Sequence, residues 1–200
     1  MPPHIDPRPV TLEGRHVRLE PLSLAHHDRL CAVGLDAELW RWAQTTLATP
    51  ADMRSYVETA LTWQAQGTAL PFAIVARANG QVVGSTRYAN IEPTDRRLEI
   101  GWTWIARAAQ RTPVNTEAKY LLLRHAFEVL GCNRVEFKTD VLNERSRAAL
   151  LRIGAKQEGV LRSHMITASG RVRDSVYFSI IAAEWPAVKV GLEAKLARPV

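Results

Sequence analysis

The apolar positions along this chain change period several times, and each change marks a new element. Residues 10–12 and 16–20 read as two short strands around a turn at Glu13-Gly14. Ser23 is placed to cap a helix over 24–33 that Gly34 ends. Residues 36–43 are apolar but irregular and suit a short helix carrying Trp40 and Trp42. Thr49-Pro50-Ala51-Asp52 supplies the capping hydroxyl, first-position proline and first-turn carboxylate of a helix start. Met53, Val57 and Leu61 then recur every four residues, which predicts an amphipathic helix over 50–66 closed by Gly67.

The period then shortens. Residues 70–78 and 81–91 are β-rich runs joined by Asn79-Gly80, a strong hairpin signal. A third strand follows over 97–105, after the polar loop 92–96. Residues 116–130 regain a helical period, with Leu122, Ala126 and Val129 on one stripe, Leu123, Phe127 and Leu130 beside it, and Gly131 beyond the end. A strand over 134–140, a helix over 144–153 stopped by Gly154, and a hairpin of 157–166 with 171–182 come next. A terminal helix over 184–196 carries Pro186 in its first turn. This order predicts an α+β protein, layered α/β/α, with a mixed, mostly antiparallel sheet and one βαβ crossover over 97–140. Such crossovers are right-handed. The informative place is the strand-to-helix junction, residues 106–116, because a helix N-terminus presents free N–H groups and positive charge to phosphates.

Composition narrows the reading further. The first nine residues hold four prolines and read as a flexible arm, leaving one domain over 10–186 and a C-terminal helical tail over 187–200. No apolar run approaches the ~20 residues of a membrane span, and the N-terminus lacks a signal-peptide layout. Cys31 and Cys132 stand apart, as expected in a reducing compartment, so the cytoplasm is the expected location and no membrane partner is expected. The net charge of +6 admits an anionic partner. The basic residues are scattered without a recognition motif, so nucleic acid is not an expected partner.

Five segments carry a resemblance. They are Leu98-Glu99-Ile100-Gly101-Trp102, Asn143-Glu144-Arg145-Ser146, Gly154-Ala155, Glu158-Gly159-Val160-Leu161-Arg162, and the run Arg173-Asp174-Ser175-Val176-Tyr177-Phe178-Ser179 followed by Glu184-Trp185-Pro186. In this order, over about residues 10–186, the chain resembles the GNAT acetyltransferases. The match is closest to the RimJ/RimL-like branch, which acetylates protein N-terminal amines and some small amino compounds. The resemblance implies the GNAT acyl-CoA N-acyltransferase fold, acetyl-CoA as co-substrate and no metal. It places the pantetheine arm between splayed strands matching 97–105 and 134–140, and the pyrophosphate on the loop 110–116. The family's loop reads Gln/Arg-x-x-Gly-x-Gly/Ala, whereas this chain has Gln110-Arg111-Thr112-Pro113-Val114-Asn115. Proline replaces the first glycine and asparagine the second. Losing one N–H bond to a charged phosphate costs ~1.5–3 kcal/mol. The amides of Val114, Asn115, Thr116 and Glu117, the hydroxyls of Thr112 and Thr116, and Arg111 remain, so the loop is expected to be weakened rather than abolished. Asn115 is the expected helix cap.

Acetyl transfer from a thioester to an amine requires a base, a polarised carbonyl, a held amine and a proton for the departing thiolate. The resemblance gives the carbonyl to backbone N–H groups around Trp102, Thr103 and Trp104. Glu99, mid-strand and opposite in alternation to Leu98 and Ile100, is the candidate base; a salt bridge to Arg87 or Arg97 is its structural alternative. By resemblance Asn143 orders the pantetheine amides and Ser146 protonates the thiolate, although both also suit an ordinary helix start. Tyr177 is an alternative acid. Trp40, Trp42, Arg87 and Tyr88 are candidates to line the amine pocket. Unbroken alternation puts Trp102 and Trp104 on one face of their strand. Arg145, Arg147 and Arg152 either meet the 3′-phosphate or form a solvated helix face. The expected activity is transfer of acetyl from acetyl-CoA to a protein N-terminal α-amine or a small amino compound, directly in a ternary complex. The rival is a non-catalytic binding module with a degenerate CoA loop, ribosome- or RNA-associated. A homodimer is compatible with the family.

Overall fold

The computed structural model describes residues 4–198. Strands β1 (Leu12–Glu13) and β2 (Val17–Pro21) are followed by a 3-10 turn and α1 (His27–Gly34), another 3-10 turn over Ala37–Leu39, and α2 (Pro50–Ala65). Next come β3 (Leu70–Ala76), β4 (Val82–Glu92), β5 (Arg97–Ile105), α3 (Pro113–Arg124), β6 (Arg134–Asp140), α4 (Glu144–Arg152), β7 (Lys156–Ile166), β8 (Val172–Ile181) and α5 (Trp185–Leu196). The strands form one sheet in the order β1-β2-β3-β4-β5-β6-β8-β7. Every pairing is antiparallel except β5 with β6, which are joined by the crossover through α3. The α+β class and the mixed, mostly antiparallel sheet expected from the sequence are present.

Two apolar layers sandwich the sheet. On one face Leu98, Ile100, Phe137 and Phe178 meet Leu121, Leu122 and Ala126 of the α3 segment and Leu192 of α5. On the other, Leu30 of α1 and Met53, Val57 and Ala60 of α2 cover Ala73, Val75 and Trp104. Gly34 ends α1 and also clears space, since a Cβ there would lie 2.6 Å from Met53 Cε and from the Trp104 ring. Helix α3 is pinned to the turn between β1 and β2 by Glu117. Its buried carboxylate accepts the backbone N–H groups of Arg15, His16 and Val17 at 2.8, 2.5 and 2.7 Å. A side chain on Gly14 would overlap that carboxylate.

Three expectations are corrected. Helix α3 starts at Pro113 rather than 116, capped by Thr112, whose hydroxyl accepts the Val114 N–H at 3.3 Å. Proline suits that first position, where an N–H has no intrahelical partner anyway. At its other end the segment turns π-helical over His125–Val129, with the Leu130 N–H on His125 O. The wider turn rotates the expected stripe out of register and leaves Val129 69% exposed. Within the described part of the arm expected to be flexible over 1–9, Ile5 is anchored: it is 2% exposed within the larger core, and its N–H donates to Pro93 O. Residues 1–3 of that arm and 199–200 of the expected tail lie outside the described residues. Among the described residues no helix is long and apolar enough to cross a membrane.

Candidate active site

Strands β5 and β6 pair at only three positions, Arg97 with Arg134, Leu98 with Val135 and Glu99 with Glu136. Beyond Glu99 they part. On its other side β5 slips one residue against β4 between the Ser85–Trp104 and Arg87–Gly101 pairs, and Trp102 takes a left-handed backbone, φ 48°. Such a bulge leaves one residue unpaired and re-aims the side chains after it. Here it turns Trp102 and Trp104 to the same side as Glu99. Trp102 packs edge-on against Trp63 at 5.4 Å, and Trp104 meets Trp40 at 5.5 Å. Thr103 is left facing α3, where its hydroxyl accepts from Lys119 Nζ at 2.7 Å. Unbroken alternation would have put the two tryptophans with Leu98 and Ile100; the bulge moves both to Glu99's face.

Over this parting lies a cavity of about 410 Å³, bounded by α2, the segment 43–47 and strands β4, β5, β6 and β8. Its walls include Trp40, Arg87, Glu99, Trp102, Lys138 and Arg173. A wider, open depression of about 650 Å³ lies over Val160, Leu161, Arg162 and Ser163 of the edge strand and Asp174 of β8.

Glu99 is 2% exposed. Its carboxylate accepts from Asn90 Nδ2 at 2.8 Å and faces Lys138 Nζ at 3.6 Å. Neither arginine of the structural alternative reaches it; Arg97 pairs with Glu92, Asp95 and Glu136 instead. Burial raises the Glu99 pKa above the usual carboxylate range, and Lys138 and Asn90 pull it partly back. Arg173 donates to Ser175 Oγ and Trp42 O and stands 4.0 Å from the buried Asp140. Tyr88 does not reach the cavity. It points to the opposite face, fully buried, with its hydroxyl on Leu122 O at 2.6 Å and its ring stacked on His125. Adjacent residues of a strand alternate, so Arg87 and Tyr88 cannot line one pocket together.

The junction before α3 is more occupied than its sequence suggests. Gln110 donates to Ile105 O, Thr112 donates to Ala109 O, and Thr116 Oγ1 accepts from Arg152. With the helix beginning at Pro113, the Thr116 and Glu117 amides enter the helix ladder, so only N–H groups ahead of Thr116 are free of it. Asn115 is not the cap. The left-handed dihedral that a loop glycine would serve falls on exposed Arg111, φ 61°, rather than on Pro113. Asn143 caps α4, accepting the Ser146 N–H at 3.1 Å, and Arg147 turns back to donate to Val141 O. Tyr177 is half-buried, between Lys138 at 5.7 Å and His164 at 5.8 Å.

Several residues that shape this region escape a reading of the sequence. Lys138 and Arg173 occupy polar positions in alternating strands, and Tyr56 and Trp63 lie seven apart on α2. Lys119 is the clearest omission. It sits three, four and seven residues before Leu122, Leu123 and Ala126, a spacing that marks a buried helix face. It is 6% exposed, and burial lowers its pKa to about 7.

The chain is similar to known acetyltransferases. The GNAT acetyltransferase domain matches residues 16–156. YdaF of Bacillus subtilis (strain 168), provisionally named a ribosomal N-acetyltransferase, is 36% identical over 111 residues, 56% of this chain and 60% of its own length. YoaA of the same organism, described as an uncharacterized N-acetyltransferase, is 28% identical over 110 residues, 55% of this chain and 61% of its own. The chain thus spans about 60% of the length of the curated relatives it matches. Among solved structures, a GCN5-related N-acetyltransferase from Brucella melitensis is 36% identical with a TM-score of 0.90, covering 98% of this chain and 89% of that one. YdaF's ribosomal description agrees with the RimJ/RimL-like branch. The matched domain runs from the start of β2 to the first residue of β7 and includes the β4, β5 and β6 walls of the cavity, so this chain belongs to the GNAT acetyltransferase family.

Proposed function

We propose that the protein transfers an acetyl group from acetyl-CoA to a primary amine bound in the cavity over Glu99. The observation that carries this reading is a buried carboxylate on the cavity wall at the point where β5 and β6 part. The provisional name of YdaF supports the activity, and the parted strands suit a slender arm lying between them. The Asn115 N–H, which lies ahead of the helix ladder, together with Arg111, suits a pyrophosphate. When bound, acetyl-CoA supplies an acetyl thioester.

The chain's own residues divide the remaining work. Glu99 receives the ammonium and takes its proton on a carboxylate oxygen. Its raised pKa brings it closer to neutrality, where a general base is most effective. Asn90 and Lys138 hold that carboxylate in place. Past Glu99, β5 pairs with no residue of β6 among the described residues, which leaves N–H groups on that side for a ligand. An N–H from this stretch polarises the acetyl carbonyl, the oxyanion-type stabilisation expected of fixed backbone donors. Ser146 or Tyr177 returns a proton to the thiolate. Transfer is direct: burial pushes the Cys132 thiol up to about 12, and Cys31, also raised by burial, meets His27 at 3.5 Å through an Nε2 already bonded to Pro50 O. The acceptor is a peptide N-terminus or a small amino compound, and two free thiols suit a cytoplasmic setting.

The occupied hydroxyls of Thr112 and Thr116 and the missing N–H of Pro113 favour a second reading, a binding module that no longer holds CoA. Calorimetric titration with acetyl-CoA, followed by thiol release with a panel of amines, separates the two. Saturable binding and amine-dependent thiol release are expected. No heat at millimolar acetyl-CoA selects the binding module.

A further inference from the structure

Arg87 is 1% exposed, yet no hydrogen bond or ion pair holds its guanidinium among the described residues. Its Nε is buried without a partner. Three aromatic rings surround it instead, with the guanidinium carbon 4.9 Å from the Tyr56 ring centroid and 5.3 Å from those of Trp63 and Trp102. Ring faces attract the positive charge but give the N–H groups no acceptor.

Each of the other charges of the cavity has at least one partner. Lys138 faces Glu99, Arg173 approaches Asp140, and the Asp52 carboxylate at the rim accepts the Ala48 and Thr49 N–H groups. Glu99 itself makes no ion pair with Arg87, although Arg87 lies opposite Gly101 and Glu99 is its diagonal neighbour. Diagonal cross-strand neighbours are ~7–8 Å apart, close enough for one small group to touch both. The aromatic box therefore holds ready a cation whose N–H groups an incoming anion would satisfy.

We propose that Arg87 is the anion subsite of the acceptor cavity, and that the favoured amine carries a carboxylate. The ammonium meets Glu99 and the carboxylate forms a bidentate pair with the guanidinium, a geometry to which arginine is suited. This rests on the reading of the cavity as the amine site. The carboxylate can come from two sources, the α-carboxylate of a free amino acid or the acidic side chain of a peptide's first residue.

The test compares charged with neutral acceptors in two pairs: alanine against alaninamide, and Asp-Ala-Ala-amide against Asn-Ala-Ala-amide. Each pair is assayed by thiol release with wild type, Arg87→Met and Arg87→Lys. In one pair the charged member is expected to have at least ~10-fold higher kcat/KM, from a charge-assisted bond. That pair identifies the source. The preference should vanish in Arg87→Met and survive in part in Arg87→Lys. No preference in either pair, or a preference unchanged in Arg87→Met, overturns the proposal while leaving acetyl transfer intact. If no amine supports thiol release, acetyl transfer fails and the subsite is judged by binding alone. Tryptophan fluorescence, with Trp63 and Trp102 beside the guanidinium, is then titrated with the same four compounds. Tighter binding of a charged member that depends on Arg87 sustains the subsite, and equal or absent responses within both pairs overturn it.

Discussion

The two faces of the sheet treat buried charge differently. On the α3 face, the Glu117 carboxylate takes three backbone N–H groups, and Lys119 donates to Thr103 with its pKa lowered by burial to about 7. On the cavity face, Glu99 keeps its pKa raised beside a single close donor and a more distant lysine, and Arg87 has rings but no acceptor among the described residues. A buried charge that is fully bonded, as Glu117 is, fixes a structure. One that is left under-partnered beside a cavity is prepared for a ligand. Substitutions on the cavity face should therefore act on turnover and those on the α3 face on stability.

The largest expected effect is that of Glu99→Gln. Removing a positioned general base costs ~100- to 10,000-fold in kcat. Acetyl-CoA affinity and the unfolding midpoint should stay close to wild type, as calorimetry and denaturant titration would report. A collapse of stability with turnover merely following it would erase the contrast between the faces.

Lys119→Met comes next, read as stability against pH. The folded pKa of about 7 lies below the ordinary lysine value of 10.5. Below about 7 both folded and unfolded chains are protonated, and the cost of burying the charge is fully present. Between about 7 and 10.5 the unfolded chain binds more protons, so stability rises with pH. The methionine variant should be more stable than wild type near pH ~6, by on the order of a few kcal/mol, with the gap closing as pH approaches the unfolded value. A gap independent of pH would mean that the lysine is not buried as a charge.

Glu117→Ala should lower stability by ~1–3 kcal/mol, the cost of leaving buried N–H groups unbonded. Turnover per folded molecule should be unaffected at low temperature. The smallest effect is expected for Arg111→Gly. Relief of the left-handed backbone and the added freedom of the unfolded chain oppose one another, so stability should change by less than ~1 kcal/mol. Acetyl-CoA affinity should fall several-fold, and an unchanged affinity would remove Arg111 from the phosphate site.

Much of the fold is legible along the chain because it depends on local periodicity. The Asn79-Gly80 hairpin, the Thr49-Pro50 helix start and the alternation that buries Glu99 all appear in the structure at their expected places. The start of α3 was legible too, since Thr112-Pro113 repeats the Thr49-Pro50 signature, but the later apolar stripe points past it to residue 116. The bulge at Trp102 carries no comparable signal, because a left-handed tryptophan is not marked by composition. The box around Arg87 is non-local. Tyr56 and Trp63 arrive from α2 and Trp102 from β5, and only the folded sheet brings them to β4.

The most direct test of the account is the pH dependence of kcat/KM for wild type and Glu99→Gln with the same amine. The account predicts that wild-type kcat/KM climbs with pH through an apparent value above the usual carboxylate range, and that this limb disappears in Glu99→Gln. The same limb in both proteins would show that another group takes the amine proton, and the cavity face would lose its central residue.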